Sequence, residues 1–584
     1  MDSISRINAL LDKNSFSAFM INTRDEFLDE FVPPHLARME WLTGFTGSNG
    51  IAVISKDIKC FFTDGRYLIQ AKKELPDEFT IMDISKISIP KWIAKNFAAG
   101  DKIAYDPRCF TANFIRKIKK VIRSFEIKLY RTIENPVDGI WQRDFPAAQP
   151  IKLLSDEQAG ISTKNKLREL KFFDDMTGKQ GYLTCDTASI CWLLNIRAHD
   201  SEYTPILHSY LLYNKRQSFL YCDPSKVTAE AKEYFASLKV TILDLSELVQ
   251  FATNCKEHKI KQVFLDTLFV NYFFFSELKN KHIDIIKVAD PVIAAKAVKN
   301  SVEINGSKHA HLLDGAAKTK FLFWLEQNKA NDNLDELAIV EKLHAFRKSH
   351  KEFLYPSFNT ISAFAENGAV IHYKPTANSN KKFDKNSLLL VDSGGQYADG
   401  TTDITRTILI GDQAQPEQKR NFTLVLKGHI SLATAIFPKG TTGCQLDILA
   451  RQFLWQDLKD YEHGTGHGIG CFLNVHEGPQ NLSKAAVNVS LQPGMILSNE
   501  PGIYIEDKYG IRLENVLLVK EESENFLRFE TISLAPIDEN LVDFTLLEDK
   551  EKAWLRNYHQ KILDNLANLS SEERHWVESK VNYY

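Results

Sequence analysis

Residues 462–479, EHGTGHGIGCFLNVHEGP, place His463, His467 and His476 in one glycine-rich stretch. Upstream, LLLVDSGGQYADGTTDITRT carries Asp392 and Asp403; downstream, ILSNEPGIYI carries Glu500 and YGIRLENVLLV carries Glu514. Asp392 ends an apolar strand and Asp403 begins the next. The connection SGGQYADGTT folds the second strand back on the first, so both carboxylates face one point. Asp399, between them, reads as a turn former. Taken singly, the two aspartates read equally well as hairpin turn residues and the two glutamates as outward-facing strand positions. Taken together they need a common cause, because burying an ionised carboxylate without compensation costs several kcal/mol. Four carboxylates against two divalent ions leave a nearly neutral site able to hold one bridging hydroxide, and one imidazole completes a dinuclear donor set. Oxygen-rich ligation favours a hard ion such as Mn²⁺, with Co²⁺ or Zn²⁺ as alternatives. Spacing alone leaves open which histidine ligates.

Other residues around this core have two readings each. Arg512, two residues before Glu514, is either a brace or carboxylate clamp for the site or an ordinary strand-surface arginine. Gly464, Gly466, Gly468 and Gly470 suit a backbone bent tightly behind ligands, or a generic loop. A phosphate cradle is disfavoured, since no Lys-Ser/Thr follows the glycines and the neighbours are acidic.

The elements that must position these residues lie late in a long chain. At 584 residues the protein exceeds one hydrophobic core and predicts about three or four domains. Residues 1–140 alternate strand (FSAFMI, GIAVIS, KCFFTD) and helix (RYLIQAKKEL). The Pro-rich NPVDGIWQRDFPAAQP marks a boundary, and 141–295 repeats the pattern with helix STKNKLRELKFF, strands GYLTCD, SYLLYN and SFLYCD, and helix TAEAKEYFASL. Trp41–Leu42 and Trp192–Leu193 suggest that these two α/β units are weakly repeated. After Asp290–Pro291, Ser301 is expected to cap a long helix, and NLDELAIVEKLHAFRK reads as a second one. From about residue 355 strands and hairpins dense in Gly, Asp, Glu and His take over, so 296–584 is expected to hold the chemistry. A C-terminal amphipathic helical extension has a Trp, Leu and Tyr stripe for packing against the domain or a second subunit.

Composition narrows the partners. Hydrophobic residues are 44% and charged residues 25%, which is ordinary globular usage. A net charge of −3 gives no general electrostatic reason to expect nucleic acid or an anionic membrane. The N-terminus lacks the pattern of a signal peptide, and no apolar run reaches the ~18–20 residues of a spanning helix. The eight cysteines form no CxxC pair and are expected to be reduced, individually buried thiols, which fits a cytoplasmic protein.

The motifs IHYKP, VDSGGQYADGTTDITRT, HGTGHGIG, NVHEGP, SNEPGIY and GIRLEN, in that order, resemble the pita-bread metallopeptidases, and most closely the cytosolic three-domain Xaa-Pro aminopeptidases (aminopeptidase P). MEWLTGFTGSNG, FFTDGRYLIQA, AAKAVKN and the C-terminal LAPIDENLVD with LEDKEKAWLRNYH extend the resemblance over nearly the whole chain. It implies an α/β (α+β) fold of two creatinase-N-like α/β domains followed by a pita-bread catalytic domain. It also implies that Asp392 binds one metal, Asp403 and Glu514 bridge both, and His467 with Glu500 hold the other. His372, in IHYKP, together with His463 and His476 would surround the site and contact substrate. The implied activity is hydrolysis of the bond before a proline in second position, by a metal-bridging hydroxide, with Glu500 as proton carrier and His476 at the oxyanion. A homodimer is implied. Prolidase activity on Xaa-Pro dipeptides is the nearest rival; a methionine aminopeptidase would need only the last domain, and a metal-free peptide-binding module would not need the intact ligand set.

Overall fold

Short apolar strands alternating with amphipathic helices before residue 290 build two six-stranded sheets within one compact unit, Met1–Asp156 with Ile161–Val292. The structure is a computed structural model and describes residues 3–329, 333–383, 387–485 and 487–583. The first sheet runs Thr80–Asp83, Lys59–Thr63, Ile51–Ile54, Ala18–Asn22, Lys102–Tyr105, Lys128–Arg131. The second runs Val240–Leu243, Ser218–Tyr221, Tyr210–Tyr213, Gln180–Thr184, Gln262–Leu265, Asp284–Lys287. Strand order and directions are the same in both: two antiparallel pairings at the centre, parallel pairings elsewhere. The repeat suspected from two Trp-Leu pairs is thus a repeat of topology. Helices cover both faces, which is why central strands such as AFMIN are apolar almost throughout rather than alternating. Thr111 caps the helix Ala112–Ile122 by accepting from Phe114 N, and Ile115, Ile118 and Ile122 bury at helical spacing.

One expected helix is two. STKNKLRELKFF forms Thr163–Glu169 and Lys171–Asp175, with Leu170 in extended conformation between them. The break turns Phe173 inward, where its ring meets Tyr182 at 5.2 Å and Tyr213 at 4.8 Å, both edge-on.

The second unit, Glu157–Gly160 with Ile293–Tyr584, carries all the candidate acids and histidines. The long helix spans Ser301–Asn328, and its N-cap is Asn300, not Ser301: the Asn300 side chain accepts from Val302 N and Glu303 N while Glu303 reaches back. An asparagine oxygen bonding both free N–H groups leaves Ser301 nothing to cap. Two antiparallel strand pairs frame the acids. Ser387–Ser393 pairs with Ile404–Ile410, Asp392 opposite Thr405, and every residue of the second strand is buried. Ile496–Asn499 pairs with Asn515–Glu521, Asn499 opposite Asn515. The amphipathic C-terminal helices Asp549–Asn565 and Ser571–Val581 bury Leu555, Tyr558, Ile562, Leu563 and Val577 in the same core as Phe422, Val425 and Ile511. Their apolar stripe therefore packs on its own unit. Among the described residues no helix is long and apolar enough to cross a membrane. All eight cysteines are free, and all but the half-buried Cys444 are buried.

Candidate metal centre

The strand pairings bring the acids together. Because Asn499 faces Asn515, Glu500 just after the first strand and Glu514 just before the second sit side by side at one end of that pair. Asp392 is opposite Thr405, so Asp403 enters its strand beside it. The two pairs are then joined: Glu514 N donates to Thr405 O at 3.2 Å, and Thr405 Oγ1 donates to Glu514 Oε2 at 2.7 Å. Arg406, fully buried, donates to Glu514 O at 2.7 Å and to Asn515 Oδ1 at 2.9 Å, tying the same junction from behind.

His467 comes from the two-residue strand Gly466–His467, held by Ser498 Oγ, which accepts from His467 N at 3.0 Å. Its Nδ1 donates to Gly468 O at 2.9 Å, which leaves Nε2 facing the acids. Ligand-type atoms of Asp403, His467 and Glu514 all lie within 4.8 Å of one another. His467 Nε2 is 3.4 Å from Glu500 Oε1 and 3.5 Å from Asp403 Oδ2. These separations are long for hydrogen bonds but close to the roughly 3.0–3.4 Å expected between two ligands of one ion with ~2.1 Å bonds. The glycines are explained by close approach: a Cβ on Gly466 would lie 1.9 Å from Ser498 O, and one on Gly468 1.9 Å from Glu477 O.

Asp392 Oδ1, Asp403 Oδ1 and Glu514 Oε1 are buried without a hydrogen-bond partner. Burial first, then the charges of Asp392 and Glu500, pushes the Asp403 carboxyl well above the usual carboxylate range. Burial, then Asp403, Asp392 and Glu500, does the same to Glu514. Burial also raises Glu500, against the pull of His467 and Arg512. Acids that oppose one another's ionisation and present bare oxygens to one point fit divalent cations.

Arg512 is 1% exposed and donates to Asp392 Oδ2 at 2.7 Å, so it is a brace and not a surface residue. It also donates to Tyr504 OH at 2.7 Å, and that hydroxyl bonds His463 Nε2 at 2.7 Å. His463 is thereby connected to Asp392 through two side chains. His476 stands with its ring centroid 4.3 Å from that of His467, at 81°. His372 lies half-buried in the turn after Ala365–Ala369. The structure thus draws Asp392, Asp403, His467, Glu500, Glu514, Arg512, His463 and His476 into one set. Tyr504, Ser498 and Thr405 belong to it too, although the sequence did not single them out. Their one signal is position, each within five residues of a candidate acid or base in strand-like sequence.

Among the described residues one other group of this kind exists, Asp25, Asp29 and His208 in the first unit. There His208 Nε2 is 2.8 Å from Asp29 Oδ2, within hydrogen-bond distance.

Residues 305–521 match the model for metallopeptidase family M24, and 525–583 that for the C-terminal region of peptidase M24. Residues 4–132 and 142–303 each match a creatinase/prolidase N-terminal domain. The chain is 37% identical over 592 residues to a probable Xaa-Pro aminopeptidase P from Podospora anserina, covering 97% of this chain and 87% of that one. It is 36% identical to aminopeptidase P2 of Arabidopsis thaliana, covering 96% and 85%. Among solved structures, the X-prolyl aminopeptidase of Caenorhabditis elegans, described as a cytosolic enzyme with a di-nuclear active site, superposes with a TM-score of 0.94. The two are 31% identical, and the match covers 99% of this chain and 98% of that one.

Proposed function

The chain belongs to the Xaa-Pro aminopeptidase P group of metallopeptidase family M24, and on that premise we propose that it removes the N-terminal residue from peptides whose second residue is proline. The observation that carries this reading is the set of buried carboxylate oxygens with no protein partner around His467 Nε2. In it, Asp392, Asp403, His467, Glu500 and Glu514 would hold two divalent ions, Asp403 and Glu514 being shared and Asp392 on the side away from His467 and Glu500. Two such ions would acidify water near neutral pH and polarise the substrate carbonyl. Glu500 takes the proton released in the attack and passes it to the leaving amine, its carboxylate steadied by Ser498, which donates to Oε1 at 3.1 Å. His476, stacked edge-on against His467, stabilises the developing oxyanion. His463, fixed by Tyr504, and His372 position the scissile peptide. Arg512 keeps Asp392 aimed and is placed to hold a substrate carboxylate. A bond to proline is a tertiary amide without an N–H, so a site that recognises the ring serves it better than one that requires a strand-like donor.

The oxygen-rich donor set favours manganese. The working division of the chain is 1–140, 141–295 and 296–584, and the assembly a cytoplasmic homodimer, for which light scattering gives the mass. One assay tests the activity. After chelation and restoration with Mn²⁺, the protein is offered an Xaa-Pro-Xaa tripeptide, an Xaa-Pro dipeptide and a Met-Ala peptide. Cleavage of the tripeptide before proline, lost on chelation, is expected. Cleavage of the dipeptide alone would make it a prolidase, and peptide affinity without cleavage a binding module.

A further inference from the structure

Beneath His476 lies a buried ionic group that the proposed reaction does not use. Glu477, 3% exposed, sits between two lysines: Lys296 Nζ is 3.2 Å from Oε2 and Lys299 Nζ 3.3 Å from Oε1. Both lysines are themselves buried, at 3% and 4% exposure. Burial raises the Glu477 carboxyl, but the two ammonium groups outweigh it and hold it below the usual range. The lysines enter from the segment AAKAVKN, which leads into the long helix, so the charge is supplied from far away in sequence.

A lone buried salt bridge is weak evidence for stability, because desolvation offsets most of its attraction. Its directional effect is stronger. Glu477 N donates to Gly468 O at 2.8 Å, joining the residue after His476 to the residue after His467. A Cβ on Gly470 would come within 2.7 Å of Glu477 Oε2, so the carboxylate is packed directly under the glycine loop. The two rings that meet at 4.3 Å are carried by chain segments fastened to each other at Glu477 N and also by Gly470 N donating to Asn474 O at 2.9 Å and Gly468 N to Gln480 O at 3.2 Å; only at Glu477 does a buried charge lie under the junction. Lys299 is in turn fixed by its own backbone, Lys299 N donating to Gly494 O at 3.1 Å.

We infer that Glu477, clamped by Lys296 and Lys299, is the positioning residue that sets His476 against His467 for the reaction. This rests on the Xaa-Pro reading and adds to it a device outside the ligand set. The clamp fixes both the height of the 474–478 turn and the side from which His476 approaches. An outer partner of this kind typically changes activity by ~10–100-fold when removed.

The test compares wild type, Glu477→Gln, Lys299→Met, His476→Ala and the double variant Glu477→Gln/His476→Ala, all Mn²⁺-loaded, on an Xaa-Pro-Xaa tripeptide. Glu477→Gln is expected to lower kcat about 10–100-fold, with KM within threefold of wild type and metal content unchanged. In the His476→Ala background the same change is expected to do nothing further, since it acts through the missing ring. Retention of wild-type kcat by Glu477→Gln, or an equal loss in both backgrounds, would overturn the inference. Should Glu477→Gln fail to fold, Lys299→Met carries the test with the same non-additivity expected against His476→Ala, and additive losses overturn it. If wild type itself leaves the tripeptide intact, the underlying reading fails instead.

Discussion

Each unit of the chain buries two carboxylates against an imidazole, with ligand-type atoms within 4.8 Å of one another, and the two groups behave as opposites. In the first unit the charges are already answered. Asp25 Oδ1 accepts from Phe27 N at 2.9 Å and Asp29 N at 3.1 Å, Asp29 Oδ1 accepts from Thr187 at 3.0 Å, and His208 meets Asp29 Oδ2 at 2.8 Å with its ring stacked on Phe27. Burial, then Asp29, lifts Asp25 to about 7, and its Oδ2 is the one carboxylate oxygen of the group buried without a hydrogen-bond partner. Asp29 overcomes burial to lift His208 to about 9, so the imidazole is the cation. In the second unit Arg512 answers Asp392 Oδ2 and Thr405 answers Glu514 Oε2, but more is left over. His467 Nε2 stays 3.4 Å or more from its acids, and oxygens of Asp392, Asp403 and Glu514 have no partner. Residue types at short range do not make a metal site; charge left uncompensated by the fold does.

The largest effect that separates the two groups is on turnover. Asp403→Asn removes a carboxylate shared between both proposed ions and is expected to cut kcat at least ~1000-fold, about 4 kcal/mol of barrier, with loss of at least one metal per chain by elemental analysis. Asp25→Asn is expected to leave kcat and metal content as they were. Normal turnover in the first variant, or metal loss in the second, would erase the distinction between the two groups.

How much of this contrast is legible in the sequence depends on what fixes each residue. Asp392, Asp403, Glu500 and Glu514 stand out because acids at the ends of apolar strands conflict with their surroundings, and that conflict is local. The doubled α/β architecture is legible from strand and helix periods, down to a repeat hinted at by two Trp-Leu pairs. Tyr504 is not, because a tyrosine in a strand has an ordinary packing explanation until His463 and Arg512 are seen on its hydroxyl. Nor is Glu477, whose partners lie 178 and more residues away. The Asp25 group is equally hidden, since its acids and His208 are 179 residues or more apart. The cap at Asn300 is displaced by one position from the expected Ser301 because Asn and Ser at adjacent sites are equally good caps by type.

A second contrast is in stability. His208→Gln leaves Asp29 buried without its cation, which typically costs about 3–5 kcal/mol. For a unit of this size that is a fall of roughly 5–8 °C in Tm, read by calorimetry on the Mn²⁺-loaded protein, with metal content unchanged. The corresponding change in the second unit, His467→Gln, is expected to lose metal while costing the metal-free protein less, because His467 Nε2 stands 3.4 Å or more from its acids. Equal destabilisation by both would mean that the two imidazoles do the same job.

The smallest effect has the clearest sign. A carboxyl whose folded pKa is raised binds more protons folded than unfolded, so its contribution to stability is present at low pH and lost as pH rises through the folded value. For Asp25, raised from 3.8 to about 7, stability falls by about 1 kcal/mol between pH 6 and pH 8. His208, raised from 6.5 to about 9, acts in the same direction: its contribution is full below about pH 6.5 and lost as pH rises through about 9. Neither depends on metal. Asp403 and Glu514 are also raised, so the metal-free second unit loses stability with rising pH as well. Bound cations reverse that, because they compete with protons for the same oxygens and bind more tightly as pH rises. Denaturation followed at pH 6 and pH 8, with chelator and with Mn²⁺, should therefore show one transition whose pH trend changes sign with metal and one whose trend does not. Asp25→Asn should flatten the second by about 1 kcal/mol and leave the first alone. A metal-dependent trend that moves with Asp25 would place the cations in the wrong unit.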